Sequence, residues 1–127
     1  MSAGGISLDA GALIAIERGD REIFALLRRA RQHGDAVHVV PEVVAQVWRG
    51  GQRQARLAKF LRAAGTEFPA MTLPMAKVVG QVCARSGHSD VVDVHVVVEA
   101  RMSGHDVVTS DPDDLRRVDP TLRIIEI

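Results

Sequence analysis

The chain has 127 residues, 46% of them hydrophobic, and its 16 basic and 16 acidic side chains leave no net charge at neutral pH. That length fits one domain over residues 1–127, large enough to bury roughly two-thirds of its unfolded surface, and the composition is that of an ordinary globular protein. A lone cysteine, Cys83, excludes an internal disulfide and a thiolate zinc cluster; it is expected as a small buried hydrophobe.

Phe24, Trp48, Phe60 and Phe68 are the only aromatic residues, so a base-stacking platform is not expected. No apolar run approaches the ~20 residues of a membrane span. The opening MSAGGISLD lacks the basic and apolar regions of a secretory leader, which makes the cytoplasm the expected location. Charge is unevenly spread: residues 43–85 carry seven basic side chains against Glu67 alone, and residues 86–119 carry eight acids against three arginines. A polyanion site beside a cation pocket and two solvated faces that neutralise each other both fit this pattern.

In chain order, Ile6 to Leu8 reads as a short buried strand that passes through Asp9 into a helix containing Leu13, Ile14 and Ile16. Asp20 caps a second helix, in which Ile23, Phe24, Leu26, Leu27 and Ala30 recur at helical spacing and stop at Gly34. Val37 to Val40 is a second strand. Pro41-Glu42 opens a helix reaching Trp48, since proline suits a first helical turn. After Gly50-Gly51, QRQARLAKFLRAAG reads as an amphipathic helix with Leu57, Phe60 and Leu61 in one stripe. Glu67 to Leu73 is expected as an edge strand, because Pro69 and Pro74 bar it from a sheet centre.

Met75 to Arg85 predicts a helix closed by Ser86-Gly87. Val91 to Met102 is apolar almost all round, as in a buried helix. Val107 to Thr109 is a third strand, Pro112 to Val118 a short helix, and Ile124 to Ile127 a last strand. Strands alternating with helices predict an α/β fold with a parallel sheet covered on both faces.

In such sheets ligands sit beyond the carboxyl ends of the strands. Asp9 follows the first strand, Glu42 the second and Asp111 the third, while Asp90 and Asp93 open the buried helix. Taken singly, each is also a plausible cap or first-turn acid. Taken together they would repel one another unless protonated or neutralised by a cation. Oxygen donors without thiolate or paired histidines point to Mg²⁺ or Mn²⁺, and such an ion to phosphate-ester chemistry. No phosphate-cradling glycine motif follows any strand. His88 and His95 flank the acidic helix start but read as ordinary residues, and His33, His38 and His105 carry no signal.

Four stretches, LDAGALIAIE, VVPEVVAQVWRGG, SDVVDVHVVVEA and VVTSDPDDL, resemble in order and spacing the four motifs of the PIN-domain ribonucleases of the VapC toxin type. The resemblance spans almost the whole chain. It implies a three-layer α/β/α sandwich with a small central parallel sheet, an Mg²⁺ or Mn²⁺ site, and RNA cleavage as the toxin of a toxin–antitoxin pair. It also implies a homodimer and an antitoxin whose C-terminal segment enters the active-site groove. Carried over by position, the site acids are Asp9, Glu42, Asp93 and Asp111, with Asp90 supporting and Asp113 or Asp114 assisting. Gly11 departs from the pattern, which often has Ser or Thr there. Arg49, Arg53 and Arg56, four and three residues apart, are expected on one helical face that holds either RNA or the antitoxin. Trp48 is expected to be buried or in a dimer interface. A catalytically degenerate PIN-like binding domain and a phosphatase on another α/β fold remain as alternatives.

Overall fold

The computed structural model describes residues 4–127; the first three residues of the stretch inspected for a leader lie outside them. Five parallel strands form one sheet in the order β3-β2-β1-β4-β5: β1 Gly5–Leu8, β2 Ala36–His38, β3 Thr66–Glu67, β4 Asp106–Thr109 and β5 Ile124–Glu126. Parallel neighbours require crossover segments, and helices supply them. They are α1 Ala10–Arg18, α2 Arg21–Gln32, α3 Pro41–Val47, α4 Ala55–Leu61, α5 Leu73–Ser86, α6 Val91–Ser103 and α7 Pro112–Val118. Helix α1 packs against α2, α3 and α4, and α5, α6 and α7 pack against one another, with β1 touched by both α1 and α6. The expected three-layer α/β/α arrangement is therefore present. Among the described residues no helix is long and apolar enough to cross a membrane.

The central strand is buried because its short apolar run is covered on both faces. Leu8, Val37, Val107 and Val108 from the sheet meet Leu13 and Ile16 of α1 and Val96, Val97 and Ala100 of α6. Full burial of such a Leu or Ile side chain contributes about 1.5–3 kcal/mol. A smaller cluster, Val79 with Val94 and Val98, joins α5 to α6, and Cys83 packs at its margin, half-buried rather than enclosed.

Several elements differ from expectation for local reasons. The amphipathic segment after Gly51 begins as a 3-10 turn, Gln52–Gln54, and only Ala55–Leu61 is α-helical. Gln54 explains the break: its side chain is buried and bonds Glu17, the Val47 carbonyl and the Arg49 and Gly50 amides, fixing it as a corner. The edge strand is Thr66–Glu67 and ends before Pro69. Pro74 lies instead in the first turn of α5, whose Thr72 cap bonds the Met75 amide. Helix α6 is buried along most of its length, but Val91 and Met102 at its ends are 53% and 70% exposed. Trp48 ends α3 and is partly exposed rather than buried.

Between α6 and the sheet runs a polar seam that the sequence did not announce. Ser7 Oγ lies 3.1 Å from His105 Nδ1, and the His105 ring packs at a tilt on His38, with centroids 4.3 Å apart. His38 Nδ1 in turn lies 3.3 Å from Glu99 Oε1, which also accepts from Ser103. Gly5 makes room for it, since a Cβ there would come within 2.2 Å of His105 Nε2. Burial, reinforced by the neighbouring His38, holds the His105 imidazole below its ordinary value of 6.5.

The folded form thus resists a proton that the unfolded chain takes up, so this group costs no stability above pH 6.5 and an increasing amount as pH drops below it. Urea midpoints at pH 8 and pH 5.5 are expected to differ more for the parent chain than for His105→Asn. An equal loss in both would remove His105 as the cause.

Candidate metal-binding acid cluster

The parallel sheet dictates which residues meet at its carboxyl edge. β1 ends in Asp9, which caps α1 by accepting from the Ala12 amide at 3.1 Å. β4, paired with β1, ends in Thr109 and is followed by Ser110 and Asp111. Helix α6 returns its N-terminus to the same edge, bringing Asp90 and Asp93.

Asp9 and Asp93 are the centre of the cluster. Both carboxyls are pushed above their ordinary value of 3.8, in each case chiefly by burial, and the charge of Asp93 adds to the shift of Asp9. Asp90 and Asp114 push Asp93 further in the same direction. Opposing this, the Thr109 hydroxyl and the Ala12 amide bond Asp9, and His88 bonds Asp93, its Nε2 lying 3.2 Å from Oδ2. Asp111 is exposed, and the carboxylates of Asp114 and Asp113 raise it. Thr109 links the two strand ends: its Oγ1 accepts from the Asp111 amide at 2.9 Å while its hydroxyl bonds Asp9.

The remaining expected residues are placed differently. Asp90 is occupied as the α6 cap, accepting from the Val92 and Asp93 amides at 2.9 and 3.2 Å, a bonding pattern that contributes about 1 kcal/mol. Glu42 lies in the first turn of α3, and its Oε2 is 2.5 Å from Nδ1 of the fully buried His95. Arg49, Arg53 and Arg56 do not share a helical face. Arg49 follows α3 and folds back on the carbonyls of Ala45, Gln46 and Trp48; Arg53 is in the 3-10 turn; and Arg56, in α4, bonds the Glu17 carbonyl. The break at Gln54 separates them.

Thr109 and Ser110 were not expected in the cluster, and His88 and His95, expected beside the acids only as ordinary residues, each bond one of them. The signal for Thr109 was a polar residue closing an apolar strand, whereas the two histidines gained partners only by folding. Gly11 also has a spatial explanation: a Cβ there would stand 2.2 Å from Ser110 Oγ, so a hydroxyl from β4 occupies the space of the missing side chain.

Among the described residues no three His, Cys, Asp or Glu side chains are gathered closely enough to enclose a metal. Half-buried Asp9 and Asp93, the charge of the second raising the first, nevertheless suit a hard cation. Mg²⁺ is commonly held by one or two carboxylates and keeps several waters, while a dehydrated protein cage has no counterpart here.

No family model and no curated protein matches the chain's sequence. Its fold, however, is similar to that of a chain in the solved structure "Structure of FitAB bound to IR36 DNA fragment". The TM-score is 0.66 at 13% identity, and the likeness covers 95% of this chain and 94% of that one. The fold is PIN-like.

An ionised carboxylate with a raised folded value costs stability at neutral pH; that cost fades as pH falls from the raised value towards 3.8 and is gone below it. Asp9→Asn keeps the cap and removes the charge. At pH 7 it is expected to stabilise the metal-free chain by on the order of 1 kcal/mol, the usual yield of relieving one unfavourable local feature. The gain should vanish at pH 3.5, as read by thermal melts at the two pH values.

Proposed function

We propose that this chain is a metal-dependent endoribonuclease acting as the toxin of a toxin–antitoxin pair. The observation that carries this reading is the juxtaposition of Asp9 and Asp93, from elements far apart in sequence, at the carboxyl edge of a PIN-like sheet. The four motif resemblances and the fold likeness to a nucleic-acid-bound FitAB assembly support it. The cytoplasm remains the proposed location, with a homodimer and an antitoxin as proposed partners.

In this reading Asp9 and Asp93 hold Mg²⁺ or Mn²⁺. When bound, such an ion polarises a phosphoryl oxygen and lowers the pKa of a coordinated water. The protein's own share is orientation and charge. Thr109 and the Ala12 amide fix Asp9 against the strand end, and His88 fixes Asp93. Asp90 caps α6 through Oδ1 and adds negative charge beside Asp93, with Oδ2 left to support the ion. Asp111, exposed at the rim with Asp114, is placed to accept a proton from water or to orient it. Glu42 acts from behind the rim, its carboxylate held by His95. Arg53 and Arg56 remain candidates to contact RNA or the antitoxin; Arg49 serves the end of α3.

The second reading is a degenerate PIN-like binding domain. The engagement of Glu42 by His95 and the lack of three gathered ligands among the described residues favour it. Calorimetric titration with Mn²⁺ separates the two: the nuclease reading expects a site that Asp9→Asn removes, and the alternative expects no heat beyond bulk association.

The purified chain, freed of any antitoxin, is expected to cut single-stranded RNA with Mg²⁺ or Mn²⁺ and to stop in excess chelator. Asp93→Asn should lower the rate by more than about 100-fold, exceeding what loss of an outer supporting partner costs, with the melting temperature not lowered. Persistent cutting in chelator would exclude the metal. Glu42→Gln, in its supporting position, should cost only about tenfold in rate.

A further inference from the structure

Beside the acid cluster lies a cleft that the catalytic reading leaves unused. Helix α1 turns Gly11, Ile14 and Arg18 to one side, residues spaced three and four apart that share a helix face. This face, with Arg21 at the start of α2 and Ser110 at the end of β4, lines a cleft of about 660 Å³. Its size lies within the roughly 300–1,000 Å³ of clefts that hold small molecules. Continuity with the cluster is covalent on both sides: Gly11 is two residues beyond Asp9, and Ser110 directly precedes Asp111.

The walls are of three kinds. Ile14, 36% exposed, offers apolar surface to the face of a base. Arg18 and Arg21 form no ion pair among the described residues, which leaves both charges available to a phosphate. Asp20 and Glu22 also line the cleft; they repel phosphate but accept from the exocyclic amino group of a base. Ser110 Oγ sits at the junction of cleft and cluster, in the space that Gly11 leaves open. Together these walls match one nucleotide, with its base against apolar surface and polar groups and its phosphate against cations. Proteins that select RNA sequence read unstacked single-stranded bases, hydrogen-bonding their edges; here Asp20 and Glu22 offer the acceptors.

We propose that this cleft binds the nucleotide adjoining the scissile bond of single-stranded RNA and sets the cleavage preference at that position. The inference rests on the nuclease reading above.

The test uses the full chain. In a cutting-deficient Asp93→Asn background, anisotropy of a labelled short single-stranded RNA is followed over a range of salt. Adding Arg18→Gln with Arg21→Gln is expected to weaken binding about tenfold and to reduce the slope of log affinity against log salt by about 1–2, the signature of one or two lost phosphate contacts. In the cutting-competent chain, Ile14→Asp and Ser110→Ala are expected to change the base preferred next to the cut in a random RNA pool. Unchanged affinity, salt slope and cut preference in folded variants would overturn the subsite and leave the nuclease standing. A parent chain that neither binds nor cuts RNA would overturn both.

Discussion

Two carboxylates held close together at a half-buried sheet edge govern this protein. Asp9 and Asp93 lie 84 positions apart in the chain, yet the charge of Asp93 adds to the rise of Asp9, and burial raises both. Nothing in a purely structural role calls for this, since an asparagine would cap α1 as well as Asp9 does. The surrounding groups reduce the strain without removing it: Thr109 and the Ala12 amide favour ionised Asp9, and His88 favours ionised Asp93. The result is a pair of carboxyls whose ionised forms cost stability.

Helix α6 connects this edge to the core. Its first turn presents Asp90 and Asp93, its middle valines fill the space between the sheet and α5, and its last turns place Glu99 against the seam of Ser7, His38 and His105. Rigid packing along the middle transmits position from one end to the other, so the site acids are set by a helix whose far half is anchored by a polar network. A buried imidazole within that network makes the anchor weaker in acid. The group behind this pH dependence, His105, thus lies just beyond the end of the helix whose first turn carries Asp93.

The fold class was legible because it depends on local patterns. Short apolar runs punctuated by glycine and proline mark β1, β2 and β4, and parallel strands carry whatever follows them to a common edge. Asp9, Asp93 and Asp111 could thus be assigned to one side of the sheet from order alone. Helix boundaries were less legible where a side chain overrode periodicity. Gln54, with four hydrogen bonds at a corner, splits an apparently continuous amphipathic helix and scatters the three arginines that its period had aligned.

What the sequence determined by itself was a parallel α/β domain, since alternation of apolar runs and turn residues acts over a few positions. The pairing of Glu42 with His95, the bridging of Asp9 and Asp111 by Thr109, the seating of Ser110 over Gly11 and the histidine seam were decided only by the tertiary structure. These contacts join residues far apart along the chain. Their distances are set by the packing of helices on the sheet, which leaves no periodic trace near either partner.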